Sequence, residues 1–171
     1  MNSPPDPASH LLLFLDFDGV LHPLAEPTGE GRGRPYTGPT LVYAPVLAEL
    51  LAPWIARIDI VIASTWAKSR SLDEIRTLLP ESLRARVIGA VWEAPMPELA
   101  SRFEAIRDWL AHVGYDDRSW IALDDDARGW PEDPRSHLVW CRAPLIDTSV
   151  QTELRHRLAE AFATADQGTA G

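Results

Sequence analysis

The segment Leu11-Leu-Leu-Phe-Leu-Asp16-Phe-Asp18-Gly19-Val20-Leu21-His22 joins an unbroken apolar run to two aspartates spaced by one residue and then to a glycine. An apolar run without polar alternation reads as a strand buried on both faces, of the kind found in parallel sheets covered by helices. In such sheets ligands collect at the carboxyl ends of the strands. Asp16 and Asp18 are therefore expected to project into a site there, on one side of the chain at their i, i+2 spacing. Gly19 lets the backbone turn away sharply. Alone, the same residues also fit a buried strand closed by an Asx turn.

The flanking sequence repeats the pattern. Arg57–Trp66 is a second apolar run, and it delivers the hydroxyls of Ser64 and Thr65 at its carboxyl end. Ser119–Asp126 is another, ending in Asp124, Asp125 and Asp126. Shorter strands are expected at 86–91 and 137–141. Between them fall helical patterns. One covers 44–56, with Pro45 in its first turn, Leu47, Leu50, Leu51 and Trp54 on one face, and Pro53 as a kink or stop. Ser71-Leu-Asp-Glu74 is a capping box that opens a helix to about Leu79, where Pro80 stops it. Leu99, Phe103, Ile106 and Leu110 set a helix over 98–112 with Gly114 beyond it, and Thr148-Ser-Val-Gln151 caps a last helix to about Thr164. Residues 22–40 carry four glycines and four prolines and read as a loop over the site, from which Arg32 and Arg34 could reach a phosphate. Strands alternating with helices give an α/β fold, a three-layer Rossmann-like sandwich around a central parallel sheet. A single domain is expected over 10–165, with loose tails at 1–9 and 166–171.

Composition narrows the class. The chain has 171 residues, 46% of them hydrophobic, and a formal charge of −9. That is a globular, acidic protein. With 16 basic residues against 25 acidic ones, a general nucleic-acid binder is disfavoured, although a local basic patch stays possible. The single cysteine, Cys141, excludes an internal disulfide and a cysteine metal cage, and it fits a reducing compartment. Met-Asn-Ser-Pro-Pro-Asp-Pro at the start lacks the basic residues and cleavage site of a signal peptide, and no apolar run approaches the ~18 residues of a membrane span. No membrane partner and a cytoplasmic location are expected.

Asp16-x-Asp18-Gly19, then Ser64 after a strand, then a basic residue on a helix, then Asp124-Asp125 after another strand occur in this order over residues 11–141. The order resembles the four motifs of the haloacid dehalogenase superfamily. Ala-Ser-Thr-Trp, Ile106-x-x-Trp109-Leu110 and Ala-Leu-Asp-Asp-Asp resemble the small group of these domains found in RNA-repair proteins. The resemblance implies that Asp16 is a nucleophile that takes up a phosphoryl group, with Asp18 as general acid and base. It implies a Mg²⁺ ion held by Asp16, by the backbone carbonyl of Asp18 and by Asp125. Asp124 is the alternative ligand, or else it orients water or the basic residue. Ser64 would bond a phosphoryl oxygen, Thr65 and Gly19 would line the substrate position, and Arg102 would offset charge. The family usually places lysine in that role; here Arg102 stands at the expected place, and Lys68 is the alternative. Aspartate two positions after the nucleophile points to a phosphatase or phosphotransferase rather than to carbon–halogen cleavage. The superfamily's two cap-insertion intervals are short here, so a capless, open site taking a phosphorylated substrate, large ones included, is expected.

Plainer readings stand beside these. Asp124–Asp126 fits an acidic turn, Ser64 a strand-end hydroxyl, and Arg102 a helix-surface residue paired with Glu98. The seven tryptophans read as core and interface residues, although Trp66 lies next to the site. His22 reads as solvated unless it contacts substrate. A Mg²⁺-dependent phosphatase leads, ahead of a polynucleotide end phosphatase and of a non-catalytic phosphate-binding regulatory domain.

Overall fold

In the computed structural model, which describes residues 10–25, 35–93, 101–133 and 137–168, the first apolar run forms strand β1 (Leu11–Leu15), buried throughout. Strands β2 (Ile58–Ile62), β3 (Val87–Ala90), β4 (Trp120–Asp124) and β5 (Leu138–Trp140) join it in one parallel sheet of order β3-β2-β1-β4-β5. Leu11 to Leu15 pair with Ile58 to Ile62 on one side, and Leu12 to Leu15 with Trp120 to Leu123 on the other. Flanked on both edges, β1 has no face or edge for water, which is why its sequence needs no polar alternation.

The two-residue period of the strand then assigns the layers. Leu11, Leu13 and Leu15 pack with helices α1 (Ala44–Leu51), α2 (Leu72–Thr77), α3 (Glu81–Arg84) and α5 (Thr148–Gly168). Leu12 and Phe14 pack on the opposite face with α4 (Arg102–Val113), where Phe14 meets Trp109 and Trp120 edge-on at 5.6 and 5.5 Å. This is the expected three-layer α/β sandwich. The chain steps from β1 through β2 to β3 at one edge, then returns across β1 to β4. The strand order therefore reverses between β1 and β4, and a crevice opens beyond their carboxyl ends.

Several boundaries differ from the expectations. Helix α1 stops at Leu51 rather than near 56, because Pro53 lacks the N–H that the next turn of the ladder needs; Trp54 instead stacks on Phe162 of α5. Strand β2 ends at Ile62, not at Trp66. Ser64 is the N-cap of a short 3₁₀ turn, Thr65–Lys68, and its Oγ accepts the Trp66 N–H at 3.4 Å. The Ser71–Glu74 capping box forms and opens α2. Helix α3 is an extra turn that starts at Pro80, where only a stop was expected. Helix α4 begins later than expected, at a second capping box in which Ser101 and Glu104 bond each other's backbone N–H; Leu99 and the Glu98 partner proposed for Arg102 lie outside the described residues. Asp147 rather than Thr148 caps α5, accepting the Ser149 N–H at 2.8 Å, and α5 runs on to Gly168. Arg32 and Arg34 also fall outside the described residues; Ala25 and Pro35 form an isolated antiparallel bridge. No helix among the described residues is long and apolar enough to cross a membrane.

Candidate active site

At the end of β1 the chain coils around one carbonyl. The N–H groups of Val20, Leu21 and His22 all point to the oxygen of Phe17, at 3.1, 2.9 and 2.8 Å. Gly19 makes the coil possible with φ of +74°, a conformation costly to residues with a Cβ. It also admits a neighbour: a Cβ there would lie 2.3 Å from Oδ2 of Asp125. The turn after β1 and the turn after β4 are thus pressed together, and their carboxylates meet.

Asp16 is buried at 4% exposure. Its Oδ1 accepts the Phe17 N–H at 2.8 Å, Oδ2 faces Arg102 Nη2 at 3.4 Å, and the fully buried Ser64 lies beside the same carboxylate, which its hydroxyl helps to hold down. Asp124 is equally enclosed. Its Oδ1 accepts the Asp126 N–H at 3.0 Å, and its Oδ2 forms an ion pair with Arg102, 3.0 Å from Nε. Arg102, in the first turn of α4, therefore bridges two carboxylates on adjacent strands. Lys68 does not; its ammonium sits 4.1 Å from the centre of the Trp92 ring. Asp126 turns outward, where Arg128 bonds both its oxygens and holds its carboxyl below the ordinary range.

Asp16, Asp124 and Asp125 each present an oxygen within 4.8 Å of the others. Burial is the main reason that Asp16 is raised to about 7; Arg102 opposes the rise and Asp124 adds to it. Burial likewise raises Asp124 and Asp125. Three crowded, poorly hydrated carboxylates touched by one guanidinium are short of positive charge. Their donors are all hard oxygens, a set that suits a small divalent cation. Among the described residues Arg102 Nη1 is buried without a hydrogen-bond partner, a further unmet donor beside this group. The nearby Cys141 thiol is pushed up to about 12, chiefly by burial and then by Asp124, so it is inert as a nucleophile.

Asp18 behaves differently from Asp16. Its Oδ2 accepts the indole N–H of Trp66 at 2.9 Å, and it is not one of the three grouped carboxylates, although its charge reaches Asp125. Two clefts flank the site. One, of about 490 Å³, is lined by Thr65, Lys68, Trp92, Arg102 and Arg128; the other, of about 290 Å³, by Gly19, Pro23, Asp125, Cys141 and Arg142. His22 is not merely solvated. Its Nδ1 accepts the Leu41 N–H at 3.3 Å and its ring meets Trp66 edge-on at 5.4 Å. Trp66 is the site residue that sequence reasoning left without a role, and its place directly after Ser64-Thr65 was the available signal.

The two aspartate motifs, the serine and the basic Arg102 thus converge at the reversal point of the sheet. The family model for the HAD domain in Swiss Army Knife RNA repair proteins matches residues 12–145, a span that runs from β1 past β5 and includes every residue of the site. No curated protein and no solved structure matches the chain. The chain belongs to the haloacid dehalogenase superfamily, in the family of HAD domains in Swiss Army Knife RNA repair proteins.

Proposed function

We propose that this chain is a Mg²⁺-dependent phosphatase that hydrolyses a phosphomonoester through an aspartyl-phosphate on Asp16. The observation that carries the reading is the division of labour at the end of β1. Asp16 is enclosed by the Phe17 amide, Ser64 and Arg102, whereas Asp18, two residues on, lies outside the group of three carboxylates and bonds the Trp66 indole. This difference supports a nucleophilic role for Asp16 and a proton-carrying role for Asp18.

In the first half-reaction a carboxylate oxygen of Asp16 forms a bond to phosphorus as the ester P–O bond breaks. The leaving oxygen keeps that electron pair and takes a proton from Asp18. In the second, water gives a proton to Asp18 as its oxygen attacks phosphorus, and the P–O bond to Asp16 breaks to restore the carboxylate and release inorganic phosphate. Such proton transfers are typically worth roughly 10²–10⁴-fold. Mg²⁺, held by Asp16, Asp125 and the Asp18 carbonyl with Asp124 beside them, would neutralise charge so that an anionic substrate can approach anionic residues. Arg102 spans Asp16 and Asp124 and is placed to follow charge from the carboxylate to the phosphoryl group. Ser64 orients the phosphoryl oxygens, with Thr65 and Gly19 at the edges of the two clefts.

The substrate class follows from access. No independent lid is built by the described residues, and clefts lie on both sides of the carboxylates, so an extended phosphorylated substrate fits better than a small enclosed one. A polynucleotide end is the second reading, favoured by the family to which the chain belongs and opposed by the charge of −9. A cytoplasmic location suits the single free thiol. The test is turnover of small phosphoesters, phosphopeptides and 5′- or 3′-phosphorylated oligonucleotides, with Mg²⁺ and with chelator. Mg²⁺-dependent phosphate release, fastest on an extended substrate, is expected. Tight binding of these compounds without any turnover would make the domain a phosphate-binding module instead.

A further inference from the structure

We propose that Trp66 is a positioning residue that aims Asp18 at the leaving group, an inference that rests on the phosphatase reading. Its indole N–H donates to Asp18 Oδ2 at 2.9 Å across 48 positions of sequence. The ring itself is fixed from several sides. Phe17 and His22 meet it edge-on at 5.5 and 5.4 Å, and the Arg70 guanidinium lies over it at 4.5 Å. A ring so held turns one hydrogen bond into an orientation.

The chemistry of the donor sets which oxygen works. An indole N–H only donates, and the carbonyl oxygen of a protonated carboxyl is a better acceptor than its hydroxyl oxygen. The bond to Oδ2 therefore favours the arrangement in which a proton on Asp18 sits on Oδ1, the oxygen not engaged by Trp66. From Oδ1 it passes to the leaving oxygen as the ester P–O bond breaks, and Oδ1 then accepts the proton of the attacking water. Without the indole donor the carboxyl group can rotate and carry its proton on either oxygen.

Trp66 also ties Asp18 to the phosphate-binding side of the site. Its backbone N–H donates to Ser64 Oγ at 3.4 Å, and Ser64 lies beside Asp16. One residue thus spaces the proton carrier relative to the serine that orients the phosphoryl group. This accounts for the break of β2 before Ser64: a strand continued to Trp66 would not form the 3₁₀ turn that presents the indole.

The test compares the parent with Trp66→Phe and with a variant carrying benzothienylalanine at position 66, which keeps the bicyclic shape and loses only the N–H. The readout is kcat/KM, which reports the first half-reaction, for an alkyl phosphate and for p-nitrophenyl phosphate at saturating Mg²⁺. An alkoxide must be protonated as it leaves and p-nitrophenolate need not be. Both variants are expected to lose roughly 10- to 100-fold on the alkyl ester, the range typical of mispositioned catalytic groups, and only a few-fold on the aryl ester. Equal losses on both esters, or no loss in the benzothienyl variant, would overturn the positioning role. The phosphatase reading fails separately, if the parent protein turns over neither ester. Should the phenylalanine variant fail to fold, the near-isosteric one decides.

Discussion

Replacing Arg102 by alanine removes one guanidinium from two buried carboxylates. Its Nη2 lies 3.4 Å from Asp16 and its Nε 3.0 Å from Asp124, and the side chain is 14% exposed. At an effective dielectric constant of about 20, unit charges ~4 Å apart interact by ~4 kcal/mol. Losing one partner of a buried pair costs about 3–5 kcal/mol, because the other charge is left uncompensated. Part of that is recovered here. Burial already raises both carboxyl groups, so each can take up a proton once the guanidinium is gone. Arg102→Ala without metal should therefore lose about 2–3 kcal/mol of unfolding free energy at mildly alkaline pH, and less at mildly acidic pH where the freed carboxylates are protonated. Catalysis should fall further, by about 10²–10³ in kcat, as when a preorganised charge-stabilising donor is deleted. Arg102→Lys should recover part of the rate, since an ammonium supplies the charge without the planar fork that reaches both carboxylates. Lys68→Ala should cost only about a few-fold, the worth of an exposed cation–π contact. The assays are urea unfolding at two pH values and kcat/KM with Mg²⁺. An Arg102→Ala enzyme within threefold of the parent, or a larger loss in Lys68→Ala, would refute the reasoning and move the role to Lys68.

Gly19→Ala places a methyl group 2.3 Å from Asp125 Oδ2 at a φ of +74°. It should lower stability by about 1–2 kcal/mol and raise the Mg²⁺ concentration needed for half-maximal turnover; unchanged values for both would show that the turn relaxes without moving Asp125. Asp59, at the opposite end of the sheet, bonds Arg86 and Arg118 at 2.7 Å each and contacts His10 at 3.1 Å. Burial alone would raise its carboxyl, but bonds from Arg118 and His10 outweigh that and hold it low. A depressed carboxylate stabilises fully above its unfolded value and loses that contribution as pH falls through the folded one. Asp59→Asn should then be about 3–5 kcal/mol less stable at neutral pH, with the gap narrowing below about pH 4 in acid unfolding curves. A gap constant down to acid pH would contradict the ion-pair account.

What could be read from the sequence was what backbone periodicity and chain-end chemistry encode. Leu11–Leu15 and Trp120–Asp124 are buried runs ending in acids, and both facts survive without tertiary information, so the sheet, its polarity and the acidic cluster were legible. Where a strand stops was less so. The apolar run of β2 continues into Ala63 past its true end at Ile62, and the Ser64 cap that follows is a side-chain bond to the Trp66 N–H that periodicity does not show. The Ser101–Glu104 box was present in the sequence, but the apolar spacing from Leu99 suggested an earlier start. Contacts between distant side chains left no local trace. The Trp66–Asp18 bond spans 48 positions, and Asp59 sits in an apolar strand where a lone aspartate gives no hint of Arg86 and Arg118.

The most direct measurement is chemical: mix the protein with substrate and Mg²⁺, quench in acid within one turnover, and map the phosphoryl group by peptide mass spectrometry. The expected result is an acid-stable, hydroxylamine-labile phosphoryl group on Asp16, absent in Asp16→Asn, which should be folded but inactive because the amide is nearly isosteric and a poor nucleophile. Retained turnover in Asp16→Asn, or a phosphoryl group on any other residue, would contradict the mechanism.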